Sequence, residues 1–255
     1  YYTVRIQANV NISTPVNVYG MRIDEGKHVR ITHEGGLTIG NGGVREAHDG
    51  CITIDNLPEG AGFLRIAPSA TNKLTKQVTV NYATMAYNSG SPQDEVWQYV
   101  GAPGTGMQMN NADKTLIYHW NEQEGWVKNS GTSLEPFVGY ALTQDQAPRG
   151  NFEIIATPIF ENKKIDFTKT QEGMNGDNLF VNSYLSPIDV ARIDPNTDTD
   201  YYGIEGTFYL FNSGSWRDWQ DGDPNSVTVD KSPGQYFAIT PGSAALIDAN
   251  EDQTT

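Results

Sequence analysis

Asp194-Pro195-Asn196-Thr197-Asp198-Thr199-Asp200, with Glu205 beyond it, is the tightest run of oxygen ligands in the chain. Taking Asp194 as the first position, Asn196, Asp198 and Asp200 fall at the third, fifth and seventh, and Glu205 at the twelfth. An EF-hand loop uses this spacing to surround calcium, a hard cation that takes roughly six to eight oxygens. The sixth position, where such loops place glycine, is Thr199, and no amphipathic helices flank the run. Without a cation, the same residues make a solvated Asx-rich turn between strands. Calcium is the one cofactor put forward by the residues.

A second cluster lies in Trp216-Arg217-Asp218-Trp219-Gln220-Asp221-Gly222-Asp223-Pro224. Indole faces stack on the C–H groups of a pyranose while carboxylates take its hydroxyls. Trp219 and Trp216 would form such a platform, with Asp221 and Asp223 as the acceptors. Trp216 has a counterpart elsewhere in the chain, Trp126, which argues for a core position. Trp219 has none and is the better ligand candidate.

Catalytic chemistry is poorly provided for. His28, His33, His48 and His119 form no HExxH or other tight ligand spacing, and there is no Gly-x-Ser-x-Gly elbow. With 31 Asp and Glu residues, pairs of carboxylates suited to glycoside hydrolysis can be chosen almost at will and mean little. Cys51, the only cysteine, sits in the alternating run Cys51-Ile52-Thr53-Ile54 and reads as a buried structural thiol. The chain is not expected to be an enzyme.

The charge balance narrows the partners. A net charge of −14 and a pI of about 4.6 disfavour nucleic acid, which needs a Lys/Arg surface, and anionic membrane surfaces for the same reason. Cations, neutral ligands such as sugars, and other proteins remain. No apolar stretch is long enough to span a membrane. Tyr1 opens directly into a strand-like pattern with no signal peptide, as in a trimmed chain.

These residues must be positioned by short strands. Val4-Arg5-Ile6, Val16-Asn17-Val18-Tyr19, Met21-Arg22-Ile23, Val29-Arg30-Ile31, Leu37-Thr38-Ile39, Cys51 to Ile54 and Phe63-Leu64-Arg65-Ile66 alternate apolar with polar, the period of a strand. Gly20, Gly26, Gly35-Gly36, Gly40, Gly42-Gly43 and Gly60 read as turns between them. Strands this short suit the stacked rungs of a parallel β-helix; hairpins of a sandwich are the alternative. Gln77 to Tyr82 is a further strand, and Asn88-Ser89-Gly90-Ser91-Pro92 reads as a linker. The expected organisation is a β-helix-like, short-strand domain at 1–88 and a duplicated β-sandwich-like domain at 89–255, with halves at about 93–160 and 161–250.

The duplication rests on four matched blocks. Trp97-Gln98-Tyr99-Val100 matches Asp177-Asn178-Leu179-Phe180. Ile117-Tyr118-His119-Trp120 matches Phe208-Tyr209-Leu210-Phe211. Trp126 follows the first of these and Trp216 the second at nearly the same interval. Glu135 to Thr143 matches Ser232 to Thr240. Trp97, Tyr99, Tyr118 and Trp120 are therefore expected in cross-strand packing. No segment has a helical period, so the chain is expected to be all-β.

The same blocks carry a resemblance to large surface proteins of the Bacteroidetes. Gly176-Asp177-Asn178-Leu179-Phe180-Val181-Asn182-Ser183-Tyr184-Leu185-Ser186-Pro187-Ile188-Asp189 resembles their Gly-Trp-Asn-Leu-Val-Gly-Asn-Pro-Tyr-Pro-Ser-x-Ile-Asp motif. Asp177 stands for the family tryptophan, and Ser183 and Leu185 for its prolines. Phe208 to Phe211 fill the place of the strand that follows, and Pro233 to Phe237 that of a Pro-Gly-Gln-Gly-Phe block. Trp97 to Pro103, Trp126 and Pro136 to Tyr140 correspond to an earlier half of the same unit. The likeness covers roughly residues 20–245. It implies an extracellular or outer-membrane display module, often exported by the type IX route, without catalytic activity, for adhesion or scaffolding among other surface proteins or glycans. A carbohydrate-binding module ranks second and a glycoside-active enzyme domain third.

Overall fold

The computed structural model describes residues 2–57, 60–83, 97–110, 116–143, 152–169 and 176–188, and the backbone of 115, 144, 189, 204–212, 215–220, 238–239 and 244–249. Every regular element among them is a strand. The first nine are β1 (Thr3–Ile6), β2 (Val10–Ile12), β3 (Pro15–Ile23), β4 (Val29–Ile31), β5 (Gly36–Glu46), β6 (Ile52–Leu57), β7 (Gly60–Ala61), β8 (Phe63–Ile66) and β9 (Val78–Tyr82).

Eight of these wind into a parallel solenoid of about three turns. One wall is β1-β3-β5-β8 and the other β2-β4-β6-β9, all parallel. Thr3 pairs with Gly20, Pro15 with Gly36, and Gly36 with Phe63, so each coil takes more residues than the one before. Alternation supplies the interior. Met21, Ile23, Leu37, Ile39, Leu64 and Ile66 from one wall meet Val29, Ile31, Ile52, Ile54, Val78 and Val80 from the other, all buried. Each such side chain contributes roughly 1.5–3 kcal/mol. Cys51 is buried at the same level, and burial pushes its thiol up.

Several glycines expected at turns lie inside strands. Gly20 is in β3, and Gly36, Gly40, Gly42 and Gly43 are in β5. Stacking is the cause. A Cβ on Gly20 would stand 3.1 Å from the Gly42 carbonyl carbon, and one on Gly42 would stand 2.8 Å from the Tyr19 ring. Here glycine lets neighbouring rungs approach. The segments Val16 to Tyr19 and Met21 to Ile23 accordingly fuse into one nine-residue strand.

The second wall continues beyond the solenoid. β11 (Thr105–Asn110) and β15 (Phe152–Thr157) add antiparallel strands to β9, giving the order β11-β15-β9-β6-β4-β2. Tyr82 pairs with Phe152, and their rings stack 5.2 Å apart. This sheet joins strands from both sides of residue 88.

Two further four-stranded antiparallel sheets follow one plan. The first is ordered β10 (Gln98–Val100), β14 (Tyr140–Gln144), β12 (Thr115–Asn121), β13 (Gly125–Lys128). The second is ordered β16 (Asp177–Val181), β21 (Ala244–Ala249), β18 (Ile204–Asn212), β19 (Ser215–Gln220), beside a ribbon of β17 (Ile188–Asp189) and β20 (Ala238–Ile239). In chain order both sheets run first, fourth, second, third. Three of the four sequence blocks coincide in register. Tyr99 and Tyr118 both pair with Ala141, as Leu179 and Tyr209 both pair with Leu246. Trp120 pairs with Trp126 as Phe211 pairs with Trp216. The fourth block does not coincide: Ala238 and Ile239 join the ribbon, and the strand equivalent to β14 comes later, at Ala244–Ala249.

Candidate functional site

The first repeat sheet carries Trp97, Tyr99, Tyr118, Trp120 and Trp126 on one face. On the other, Val100, Ile117, Tyr140 and Leu142 are buried. The strand period then sends Tyr99, Tyr118, Trp120 and Trp126 to the opposite side. Trp97 meets Tyr118 edge-on at 5.6 Å between ring centres. Trp126 meets Trp120 edge-on at 5.2 Å and Tyr99 at a tilt at 5.8 Å. Ala141, between Tyr99 and Tyr118, is small enough for the rings to lean over it. Burial pushes the Tyr99 phenol up. The expected cross-strand packing of Trp97, Tyr99, Tyr118 and Trp120 is seen, but all four stay partly exposed.

Strand β16 crosses the end of this face. Gly101 and Gly139 make the crossing possible: a Cβ on Gly101 would strike Val181, and one on Gly139 would lie 2.5 Å from Leu179 Cγ. The Gly139 amide donates to the Leu179 carbonyl at 3.1 Å. Nearby, Trp120 Nε1 donates to the Asp177 carbonyl at 2.6 Å, and the Gly176 amide to buried Glu122 at 3.1 Å. Phe137 adopts a left-handed φ of 65°, a conformation that costs a non-glycine residue roughly 1–3 kcal/mol. Its amide donates to Ser183 Oγ at 2.7 Å, and its ring meets Tyr184 edge-on. Asn182, in the motif-like segment, bonds both the Tyr184 amide and the Ser186 carbonyl and so shapes this turn. Leu185 then presents its carbonyl to the Leu64 amide on the outer edge of β8.

Trp126 is the most exposed of these rings. It is 41% exposed on β13, an edge strand among the described residues, whereas the core position expected for Trp216 rested on its kinship with Trp126. Lys128, two residues along the same face, and Glu124, in the preceding turn, are also exposed. The sequence hid this because an aromatic residue on an alternating strand looks the same whether or not another layer covers it.

The residues singled out by sequence fall as follows. Trp216 and Trp219 are on β19, paired with Phe211 and Phe208, and Glu205 is on β18; only their backbone is described. Asp221, Asp223, Asp194, Asn196, Asp198 and Asp200 lie outside the described residues, so neither the calcium loop nor the carboxylates of the sugar platform has a geometry here. Among the described residues no group of three or more His, Cys, Asp or Glu side chains is placed to hold a metal. An open cleft of about 450 Å³ lies between Ile23, Val44, His48 and Leu74 on the solenoid. Lys73 on its border is committed to the Ala67 and Pro68 carbonyls.

Comparison with known proteins gives one informative likeness. Over 163 residues the chain is 29% identical to the minor fimbrium subunit Mfa5 of Porphyromonas gingivalis. The aligned stretch takes in 58% of this chain and 13% of that protein, so the chain spans a small share of its relative. No family model matches the chain, and no solved structure does. Among the described residues no helix is long and apolar enough to cross a membrane.

Proposed function

We propose that the chain is a noncatalytic module of a cell-surface or secreted structure, serving adhesion or extracellular scaffolding through contacts with other surface proteins. The observation that carries this reading is the 163-residue likeness to a fimbrium subunit. The solenoid supports it physically. Among the described residues β1 and β2 each have a strand neighbour on one side only. Tyr2, Val4, Val16 and Tyr19, four of the five exposed large hydrophobic residues among those described, lie at this end. Such an edge, apolar at Val4 and carrying the Arg5–Asp24 ion pair, can take a further strand of the same polypeptide or of a partner. The opposite edge, at β8, is held by Leu185.

A second reading, a carbohydrate-binding module, is favoured by the exposed indole of Trp126.

Surface labelling tests the first reading. Antibody against the chain is expected to stain intact cells of the organism that makes it, and external protease to remove that staining. Staining that appears only after lysis would contradict it.

A further inference from the structure

We propose that Trp126 is the stacking platform of a site for neutral glycans, and that strand register places Trp216 at the equivalent position of a second such site. The inference deepens the surface-module reading by naming a partner class, and it rests on that reading.

Packing against Trp120 and Tyr99 covers only part of the Trp126 indole. Trp126 is on an edge strand and 41% exposed, whereas a large aromatic ordinarily earns its place by burial. None of its ring contacts among the described residues is a parallel stack: Trp120 lies at 74° to it and Tyr99 at 56°. The indole is nevertheless held in place. Trp120, its cross-strand partner, is pinned by its N–H to the Asp177 carbonyl at 2.6 Å, so a ligand meets a preorganised surface.

The surroundings select the ligand. Gly125 is buried, Val127 is partly buried, and Glu124 and Lys128 are exposed on either side. The most exposed aromatic surface is the Trp126 indole, with the partly exposed rings of Tyr99 and Trp120 beside it and the charged Glu124 and Lys128 near it in sequence. Such a surface suits a sugar ring: the negative face of the indole attracts the weakly positive C–H groups of a pyranose, and Lys128 and Glu124 would serve as donor to and acceptor from its hydroxyls. A net charge of −14 disfavours acidic glycans.

The second sheet repeats the placement. Trp216 pairs with Phe211 as Trp126 pairs with Trp120, and Asp218 pairs with Tyr209 as Lys128 pairs with Tyr118. Among the described residues β19 is again an edge strand. Two sites on one chain raise avidity for a polyvalent glycan surface without any new contact.

The test is a printed array of neutral oligosaccharides ending in glucose, galactose, mannose or N-acetylglucosamine, with sialylated and sulfated glycans alongside. Titration of the best neutral binder follows by tryptophan fluorescence. Wild-type chain is expected to bind a neutral glycan. Trp126→Ala should weaken the titrated affinity about tenfold or more and Trp126→Phe should retain most of it; both should still unfold cooperatively, Trp126→Ala at a slightly lower temperature because its cross-strand ring contacts are lost. Trp126→Ala with Trp216→Ala should further reduce retention on the immobilised glycan. Absence of neutral binding, binding of acidic glycans alone, or an unchanged affinity in Trp126→Ala would overturn the proposal. Retention unchanged by the added Trp216→Ala would overturn its second site. Surface staining of intact cells is a separate readout, so cells that stain while the array is blank refute the glycan inference and leave the surface-module reading standing.

Discussion

The indole N–H of Trp120 donates to the backbone carbonyl of Asp177 at 2.6 Å, tying the second strand of one repeat sheet to the first strand of the next. A part-buried bond of this kind contributes about 1 kcal/mol net. Trp120→Phe keeps an aromatic ring and removes the donor. It is expected to lower the unfolding free energy by about 1–2 kcal/mol in urea titration. An unchanged midpoint would show that the bond does not couple the sheets.

The crossing beside it depends on glycine. Gly139→Ala would place a Cβ 2.5 Å from Leu179 Cγ, and the resulting overpacking is expected to cost roughly 1–3 kcal/mol. Gly131→Ala is the control, because nothing lies within 4 Å of its Cβ. Thermal melts should separate the two variants clearly; equal melting temperatures would refute the close crossing.

His28 makes solenoid stability depend on pH. Its Nε2 lies 2.9 Å from Thr53 Oγ1. Burial, then the charges of Arg30 and His48, hold its pKa below the ordinary 6.5. The folded chain thus prefers the neutral ring, while the unfolded chain takes up its proton near 6.5. The associated stability is full above that pH and is lost as pH falls from it through the lower folded value. The melting temperature should therefore fall as pH drops below about 6.5, and His28→Gln should fall less over the same range. Parallel curves would refute the assignment.

The ligand spacing from Asp194 to Glu205 predicts that millimolar calcium raises the melting temperature, because a ligand of the folded state alone stabilises it by mass action. Asp198→Ala should abolish the rise. Identical melts in calcium and in chelator would remove the loop from consideration.

Much of this architecture was legible because alternation is a local signal. Met21-Arg22-Ile23, Val29-Arg30-Ile31 and Phe63-Leu64-Arg65-Ile66 declare an inner and an outer face wherever they pair. The stacking role of Gly20 and Gly42 is not legible, because sequence does not reveal which rung lies above a residue; the two are distant in the chain and touch only through stacking. The repeat was legible at Tyr118 and Tyr209 for the same local reason. It slipped at Ala238 because the likeness of Pro136-Phe137 to Pro233-Gly234 ignores the β17–β20 ribbon, which intervenes before β21. The exposure of Trp126 is not legible either, because it depends on what covers the strand, which the strand's own residues do not state.

The central claim is that the chain works by contact at a surface. Its most direct test is deletion of the segment encoding residues 1–255 in the organism that carries it, followed by quantitative attachment to host-derived or partner-cell surfaces and imaging of the surface structure. The account predicts weaker attachment or a disrupted surface structure, with growth on soluble nutrients unchanged. Normal attachment and normal surface structure, together with loss of a metabolic step, would contradict it.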